Sequence, residues 1–278
     1  MLSADSLERP RVCAVSYFNT VPLVWGMLHG PQRNIFDLTF AVPSLCADRL
    51  RRGEADIGIV PVVEMRRQNL AMFRGTGIAC RGPVRSILLI SKVPFPAIRT
   101  LAADAGSRSS VMLARVILAK RYGAAPSILT REPILAEMLE EADAALIIGD
   151  PALLLDPATL PFAALDLGEE WVDLTGLPMV FAVWAGRQEL VTPKLERAFV
   201  DSYEFGRSHV ESIVSAEHVR LGISPELARK YITEHIAFEL GDRDYQGMEL
   251  YLRYAMELDA ADSSAASERQ IAATEATV

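Results

Sequence analysis

The segment from Ser107 to Val111, Ser-Arg-Ser-Ser-Val, brings together residue types that bind small anions. It follows a strand-like segment at 98–102 and precedes an apolar-periodic segment at 111–122, so a strand, a turn and a helix are predicted. The first turn of a helix has unpaired N–H groups and a partial positive charge, to which serine hydroxyls and a guanidinium add. The candidate carboxylate-binding residues are therefore Ser107, Arg108, Ser109 and Ser110. An ordinary serine N-cap, with the arginine turned outward, is the alternative.

The elements around this segment occur in two units of similar order. The first unit is predicted to alternate strands with helices, with strands at 11–16, 38–42 and 55–61 and helices at 22–28 and 45–53. The second is predicted to repeat that order from residue 100, with helices at 111–122 and 134–141 and strands at 125–130 and 145–149. Alternation of this kind is typical of a parallel sheet with helices on its faces.

The other segments are expected to connect or cover these units. Residues 79–91 are predicted to form two short strands, 166–175 an irregular polar segment, and 177–185 a strand that returns the chain to the first unit. Later helices are predicted at 193–220 (one helix or two), 225–235 and 245–259. Residues 260–278 are rich in Ala, Ser and Thr without apolar periodicity, so a disordered tail is expected.

Two such units predict an α/β fold of two lobes, the type II periplasmic-binding-protein architecture, with a ligand cleft between the lobes. Hinge crossings are expected near residues 92–97 and 185–188. Lobe 1 would then comprise residues 1–95 and 186–259, and lobe 2 residues 96–185. Ligands of such folds bind in the cleft, at strand ends and helix N-termini.

Composition excludes several classes of partner. The net charge of −8 argues against a nucleic-acid-binding or membrane-binding surface, because both need a basic face. No apolar run reaches the roughly 18 residues that span a bilayer, and residues 1–10 do not resemble a secretory signal. The three widely spaced cysteines indicate neither a metal site nor a disulfide framework, which favours a reducing cytoplasm. Nothing in the sequence specifies an oligomeric state.

Several segments, in order, resemble the chorismate dehydratase family, which opens the futalosine route to menaquinone. They span roughly residues 11–258 and include Ser-Tyr-Phe-Asn-Thr-Val-Pro-Leu at 16–23, Gly-Ile-Val-Pro at 58–61, Gly-Pro-Val-Arg-Ser-Ile at 82–87, the serine-rich segment at 107–111, Ile-Gly-Asp-Pro-Ala-Leu at 148–153 and Trp-Val-Asp-Leu-Thr-Gly-Leu-Pro at 171–178. The family usually has Thr at the position of Ser109 and Leu or Ile at that of Phe18. Both differences preserve the character of the side chain.

The resemblance implies that the substrate is chorismate and that the product is 3-[(1-carboxyvinyl)oxy]benzoate. It implies a catalytic pair, Asn19 and Ser86, whose alternatives are a turn residue and an ordinary strand serine. Aromatisation of the ring supplies the driving force, so neither a metal nor a cofactor is expected. Beyond the segment at 107–110, the expected substrate-binding residues are Tyr17 as an apolar wall, Pro61, Gly149, Asp150 and Thr175.

The base that removes the C3 proton is not evident from the sequence. Asp150 and Glu64 follow predicted strands, but their charges would repel a dianionic substrate, and Asp150 is more typical of a cap before Pro151. We therefore hypothesise that the enolpyruvyl carboxylate of the substrate itself takes this proton.

Two other functions fit the predicted fold. One is a cytoplasmic sensor that binds a small anion without catalysis, because a fold does not fix a function. The other is the sister family that makes 1,4-dihydroxy-6-naphthoate and is expected to use a cleft histidine. The histidines here are His29, His209, His218 and His235, none in the predicted second lobe, which disfavours the sister family. An NAD-type dehydrogenase is disfavoured because no Gly-x-Gly-x-x-Gly segment follows a strand.

Overall fold

The computed structural model describes residues 9–104, 106 and 108–275, with side chains as far as residue 262. In chain order, the strands are β1 (Arg11–Val15), β2 (Asp37–Ala41), β3 (Ile57–Pro61), β4 (Ala71–Cys80), β5 (Ile87–Ser91), β6 (Thr100–Asp104), β7 (Ser127–Arg131), β8 (Ala144–Ile148), β9 (Ala163–Asp166), β10 (Met179–Gly186) and β11 (Ala237–Glu239). The helices are α1 (Val21–His29), α2 (Pro43–Arg51), α3 (Val62–Arg67), α4 (Arg108–Tyr122), α5 (Leu135–Glu141), α6 (Gly149–Leu153), α7 (Leu167–Thr175), α8 (Pro193–Arg207), α9 (Val210–Leu221), α10 (Pro225–Lys230) and α11 (Asp242–Glu275).

Over the described residues, the strands form two sheets that define two lobes. The first sheet has the order β11-β4-β10-β3-β1-β2, and the second has the order β7-β6-β8-β5-β9. β1 is parallel to β2 and β3, and β6 is parallel to β7 and β8, as the alternating units predicted. β10 is antiparallel to β3 and β4, and β5 is antiparallel to β8 and β9.

The chain passes between the two sheets at other places than the sequence predicted. β5 belongs to the second sheet and β10 to the first, so the crossings lie at 81–86 and 176–178 rather than near 92–97 and 185–188. The proline-rich segment taken for a hinge includes a single 3-10 turn, Phe95–Ala97, between β5 and β6 of one sheet. Every residue of β5 and β10 is buried, and a strand buried on both faces carries no pattern that assigns it to a sheet.

Residues 166–175, predicted to be irregular, form a helix instead. The Asp166 side chain accepts hydrogen bonds from the N–H groups of Gly168 and Glu169 at 2.9 and 3.2 Å, and Gly176 ends the helix with φ +68°. These are the N-cap and C-cap residues that helices favour. Asp166 also accepts from the N–H groups of Val84 and Arg85, at 2.9 and 2.6 Å, which joins α7 to the first crossing.

The last helix is longer than predicted. α11 runs to Glu275 and so includes most of the segment expected to be a disordered tail. The absence of apolar periodicity argues against burial but not against a helix, and Ala has the highest helix propensity. None of the described helices is both long enough and apolar enough to span a membrane.

A continuous core extends across both lobes. It includes residues of β1, β3 and β10 from the first sheet, β6 and β8 from the second, and α4 and α11 between them. Trp171 of α7 lies edge-on to Tyr251 of α11 at 5.8 Å, and both side chains are fully buried. The core therefore holds α4, the helix that begins with the predicted anion-binding residues, against both sheets.

Candidate substrate-binding cleft

A cleft lies between the ends of the strands of the two sheets and encloses about 510 Å³ of empty space, part of it open to solvent. Its polar side chains are few, and apolar side chains form most of the wall, as in other small-molecule sites. The lining residues are Val15, Tyr17, Asn19, Pro43, Pro61, Ile78, Val84, Ser86, Ile87, Ser109, Ser110, Ile148, Gly149, Phe181 and Ala182. Of the predicted site residues, the cleft thus brings together Tyr17, Asn19, Pro61, Ser86, Ser109, Ser110 and Gly149.

Asn19 enters the cleft from the turn that follows β1. The strand ends at Val15, and a 3-10 turn, Phe18–Thr20, leads into α1, whose Pro22 suits the start of a helix. Phe18 is fully buried beneath this turn and leaves Asn19 half-buried at its surface. The position is the carboxyl end of a parallel strand, where α/β folds bind their ligands.

Ser86 enters from the opposite lobe, immediately before β5. Its side chain is 1% exposed, and its Oγ accepts a hydrogen bond of 2.8 Å from Tyr231 Oη. Burial raises the pKa of the Tyr231 phenol, although its contacts with Ser86 and Asn19 act in the opposite direction. The phenol therefore stays protonated and donates.

The first turn of α4 presents two buried serines to the cleft. Ser109 and Ser110 are each 3% exposed. In the described part of the chain, Ser109 Oγ is buried without a hydrogen-bond partner, a costly arrangement unless a ligand supplies one. A buried hydroxyl without a partner at a helix N-terminus suits a carboxylate, because the helix dipole and the hydroxyl both favour negative charge.

Tyr17 and Gly149 form one of the contacts between the lobes and both line the cleft. Gly149 has φ +62°, and a Cβ at this position would lie 2.8 Å from the Tyr17 ring. Only glycine combines this backbone conformation with so close an approach. Burial, together with the charges of Asp104 and Asp150, raises the pKa of Tyr17, so its hydroxyl is neutral.

Arg108 does not line the cleft, contrary to prediction. Its guanidinium pairs with Asp48 Oδ1 at 3.0 Å and with Glu64 Oε2 at 2.9 Å, which ties the start of α4 to α2 and α3. The outward orientation, the alternative considered from sequence, is the one observed. Two carboxylates on neighbouring helices offer the guanidinium stronger partners than the neutral cleft wall does.

Asp150 and Thr175 also lie outside the cleft lining. Asp150 Oδ1 accepts from the N–H of Phe18 at 2.9 Å, and burial raises the pKa of this carboxyl despite the nearby Arg220. Thr175 Oγ1 donates to the carbonyl of Trp171 at 2.8 Å and accepts from the N–H of Leu177, so it terminates α7. Polar residues at the ends of elements are often used for such local bonds. Ser107, also predicted to bind substrate, lies outside the described residues.

Tyr231, which sequence analysis did not select, contacts a residue that lines the cleft. A helix was predicted over 225–235; α10 ends at Lys230, and Tyr231 begins a π-helical segment that ends at His235. The phenol contacts Ser86, which is 145 residues away in sequence. No local pattern indicates such a contact. Among the described residues, no group of three or more His, Cys, Asp or Glu side chains is arranged to hold a metal ion.

The sequence of this chain is similar to those of proteins of menaquinone biosynthesis. A family model described as menaquinone biosynthesis matches residues 10–257. The chain is 30% identical over 262 residues to the chorismate dehydratase of Thermus thermophilus, a match that covers 87% of this chain and 94% of that protein.

The solved structures that resemble this one show its fold. AF1704 from Archaeoglobus fulgidus superposes with a TM-score of 0.70 at 16% identity, covering 92% of this chain and 98% of that one. The aliphatic sulphonate binding protein SsuA from Escherichia coli gives 0.59 at 14% identity, covering 91% and 88%. CA3427 from Candida albicans, described as having the generic periplasmic binding protein fold, gives 0.57 at 15% identity, covering 90% of each chain. The two-lobe fold predicted from the sequence is confirmed.

Proposed function

The chain belongs to the menaquinone biosynthesis family, and we propose from that premise that it is a chorismate dehydratase, an enzyme that removes water from chorismate to give 3-[(1-carboxyvinyl)oxy]benzoate. The observation that carries the proposal is the 30% identity to the Thermus thermophilus chorismate dehydratase over 87% of this chain. The cleft supports it, because two buried serines at a helix N-terminus line the same largely apolar space as the proposed catalytic pair, Asn19 and Ser86.

In this proposal the start of α4 binds a carboxylate of chorismate. Ser109 Oγ supplies a buried hydroxyl without another described partner, and Ser110 and the N–H groups of the first turn add to it. Tyr17, Pro61 and Gly149 enclose the ring. Arg108 is a structural residue in this scheme, because its guanidinium is bound to Asp48 and Glu64.

The reaction breaks the C3–H and C4–O bonds, and the C–H electron pair becomes part of the aromatic ring. The enolpyruvyl carboxylate of the substrate takes the C3 proton and passes it to the C4 hydroxide as that leaves, so one water is released and atoms and electrons balance without an oxidant or a reductant. Asn19 and Ser86 donate hydrogen bonds to the departing oxygen, which gains negative charge as the C4–O bond breaks. We include cofactor independence in the proposal because aromatisation drives the step.

The lining of the cleft supports the substrate's own enolpyruvyl carboxylate as the base. Of the described residues that line the cleft, none is an Asp, Glu, His, Lys or Arg. The two carboxylates considered from sequence are engaged elsewhere, Asp150 with the N–H of Phe18 and Glu64 with Arg108. A neutral cleft leaves a dianionic substrate's carboxylate as the nearest group that accepts a proton. The lack of a lining histidine also makes the sister naphthoate synthase a poorer fit.

Incubation with chorismate, followed by mass and ultraviolet spectra, tests the function. Loss of one water and the appearance of an enolpyruvyl-oxybenzoate are expected for the wild type, with strongly reduced rates for Asn19→Ala and Ser86→Ala. Ser91→Ala is the matched control, because Ser91 is equally buried at the other end of β5 and its hydroxyl bonds the carbonyl of Val93 at 2.7 Å. Chorismate that is bound but unchanged by the wild type would favour the sensor instead.

A cytoplasmic location is also proposed, on the ground that all three cysteines are free.

A further inference from the structure

Tyr231 begins a short π-helical segment, Tyr231–His235, directly after α10. Single π turns are rare and occur frequently at functional sites. The Tyr231 side chain is fully buried, and its ring lies 5.7 Å from that of Phe18, the residue before Asn19. The π turn thus places a phenol hydroxyl behind the cleft wall rather than in it.

This hydroxyl contacts one of the two proposed catalytic residues. Tyr231 Oη donates to Ser86 Oγ at 2.8 Å. A phenol has one proton, and Tyr231 uses that proton toward Ser86. The hydrogen bond therefore runs from Tyr231 to Ser86.

The direction determines where the Ser86 proton points. A serine hydroxyl has one proton and two lone pairs. One lone pair of Ser86 Oγ is occupied by the tyrosine proton, and Ser86 itself lines the cleft. Its own proton is consequently available to the ligand. Hydrogen bonds in series also polarise one another, which strengthens the last donor.

We propose that Tyr231 is a positioning residue, which orients the Ser86 hydroxyl so that it donates to the oxygen that leaves the substrate. The inference rests on the proposed dehydration of chorismate. Tyr231 transfers no proton: the departing hydroxide combines with the proton removed from C3. The effect is expected in the transition state, where the leaving oxygen becomes negative, rather than in substrate binding.

Tyr231→Phe tests this inference, since it removes one oxygen and keeps the ring. We expect kcat to fall about tenfold and KM to change less than about twofold. Tyr245→Phe is the matched control: Tyr245 is also a buried tyrosine with a bonded hydroxyl, but its partner, the N–H of Gly75 at 2.9 Å, belongs to a residue that does not line the cleft. Its kcat should stay within about twofold of wild type.

A double-mutant cycle separates positioning from packing. In the Ser86→Ala background, Tyr231→Phe should cause no further loss of kcat, because the hydroxyl that it orients is already gone. If the two losses multiply, or if KM rises while kcat is unchanged, the inference is wrong.

Should Tyr231→Phe not fold, 3-fluorotyrosine at position 231 keeps both ring and hydroxyl, and its kcat should stay within about twofold of wild type. A tenfold loss there would mean that packing matters and the hydroxyl does not. A wild type that leaves chorismate unchanged would contradict the proposed function itself, whereas an active wild type with an unaffected Tyr231→Phe would contradict only this inference.

Discussion

Gly149→Ala should be the most informative substitution in the lining of the cleft. The residue has φ +62°, a conformation that costs a residue with a Cβ about 1 kcal/mol. The new Cβ would also lie 2.8 Å from the Tyr17 ring, and relieving such an overlap in a packed site costs about 1–3 kcal/mol more. We therefore expect the free energy of unfolding to fall by about 2–4 kcal/mol.

Gly123→Ala is the matched control for the backbone contribution. Gly123 has φ +64°, and a Cβ there would meet nothing within 4 Å, so only the cost of about 1 kcal/mol applies. Urea unfolding of the two variants and the wild type measures both losses, and chorismate turnover measures the displacement of Tyr17. Gly149→Ala should lose activity and Gly123→Ala should not. Equal losses of stability with unchanged turnover in both variants would refute the argument that the ring and the glycine are packed against one another.

Three further predictions concern charged groups that do not line the cleft. Arg108→Met should lower the free energy of unfolding by about 1–2 kcal/mol, since it leaves the buried Glu64 with fewer partners, but should alter KM for chorismate less than twofold. A large rise in KM would place the guanidinium on the substrate. Asp150→Asn should retain turnover. Burial raises the pKa of Asp150, so ionisation of this carboxyl costs the wild type stability as pH rises above about 4. The variant should therefore become more stable relative to wild type over that pH range. Loss of all turnover in a folded, chorismate-binding Asp150→Asn protein would contradict the substrate-derived base. Asp56→Asn should lose about 1 kcal/mol at neutral pH, because Arg11 keeps the pKa of Asp56 low despite its burial. That loss should shrink as pH falls below about 4 in urea unfolding, and a loss independent of pH would exclude the ion pair as its cause.

Much of the first lobe could be predicted because its strands and helices alternate in short, regular segments. The serines at the start of α4 were found from composition and position, and Asn19 and Ser86 from the family resemblance. The sheet to which β5 belongs could not be predicted, because all five of its residues are buried and the strand shows no face pattern. The hydrogen-bond partner of Ser86 could not be predicted either, since the phenol that contacts it is 145 residues away in sequence.

The orientation of Arg108 illustrates a different difficulty. Its position before two serines at a helix start is typical of an anion site, and those two serines do line the cleft. The side chain is long enough to reach elsewhere, and it binds carboxylates on α2 and α3. The position of the turn was predicted correctly from the sequence. Which group binds the Arg108 guanidinium, a ligand in the cleft or a carboxylate, depends on helices that are distant in sequence.

The four hydrogen bonds accepted by the Asp166 carboxylate link the two places where the chain crosses between the lobes. Two come from the first crossing, at Val84 and Arg85, and two from the first turn of α7, which ends at Gly176 where the second crossing begins. The first turn of α7 is therefore bound to the first crossing, and its last residue leads directly into the second crossing. Because one carboxylate joins the two connections, we expect them to move together, and sliding of one lobe along the other would have to break the hydrogen bonds of Asp166.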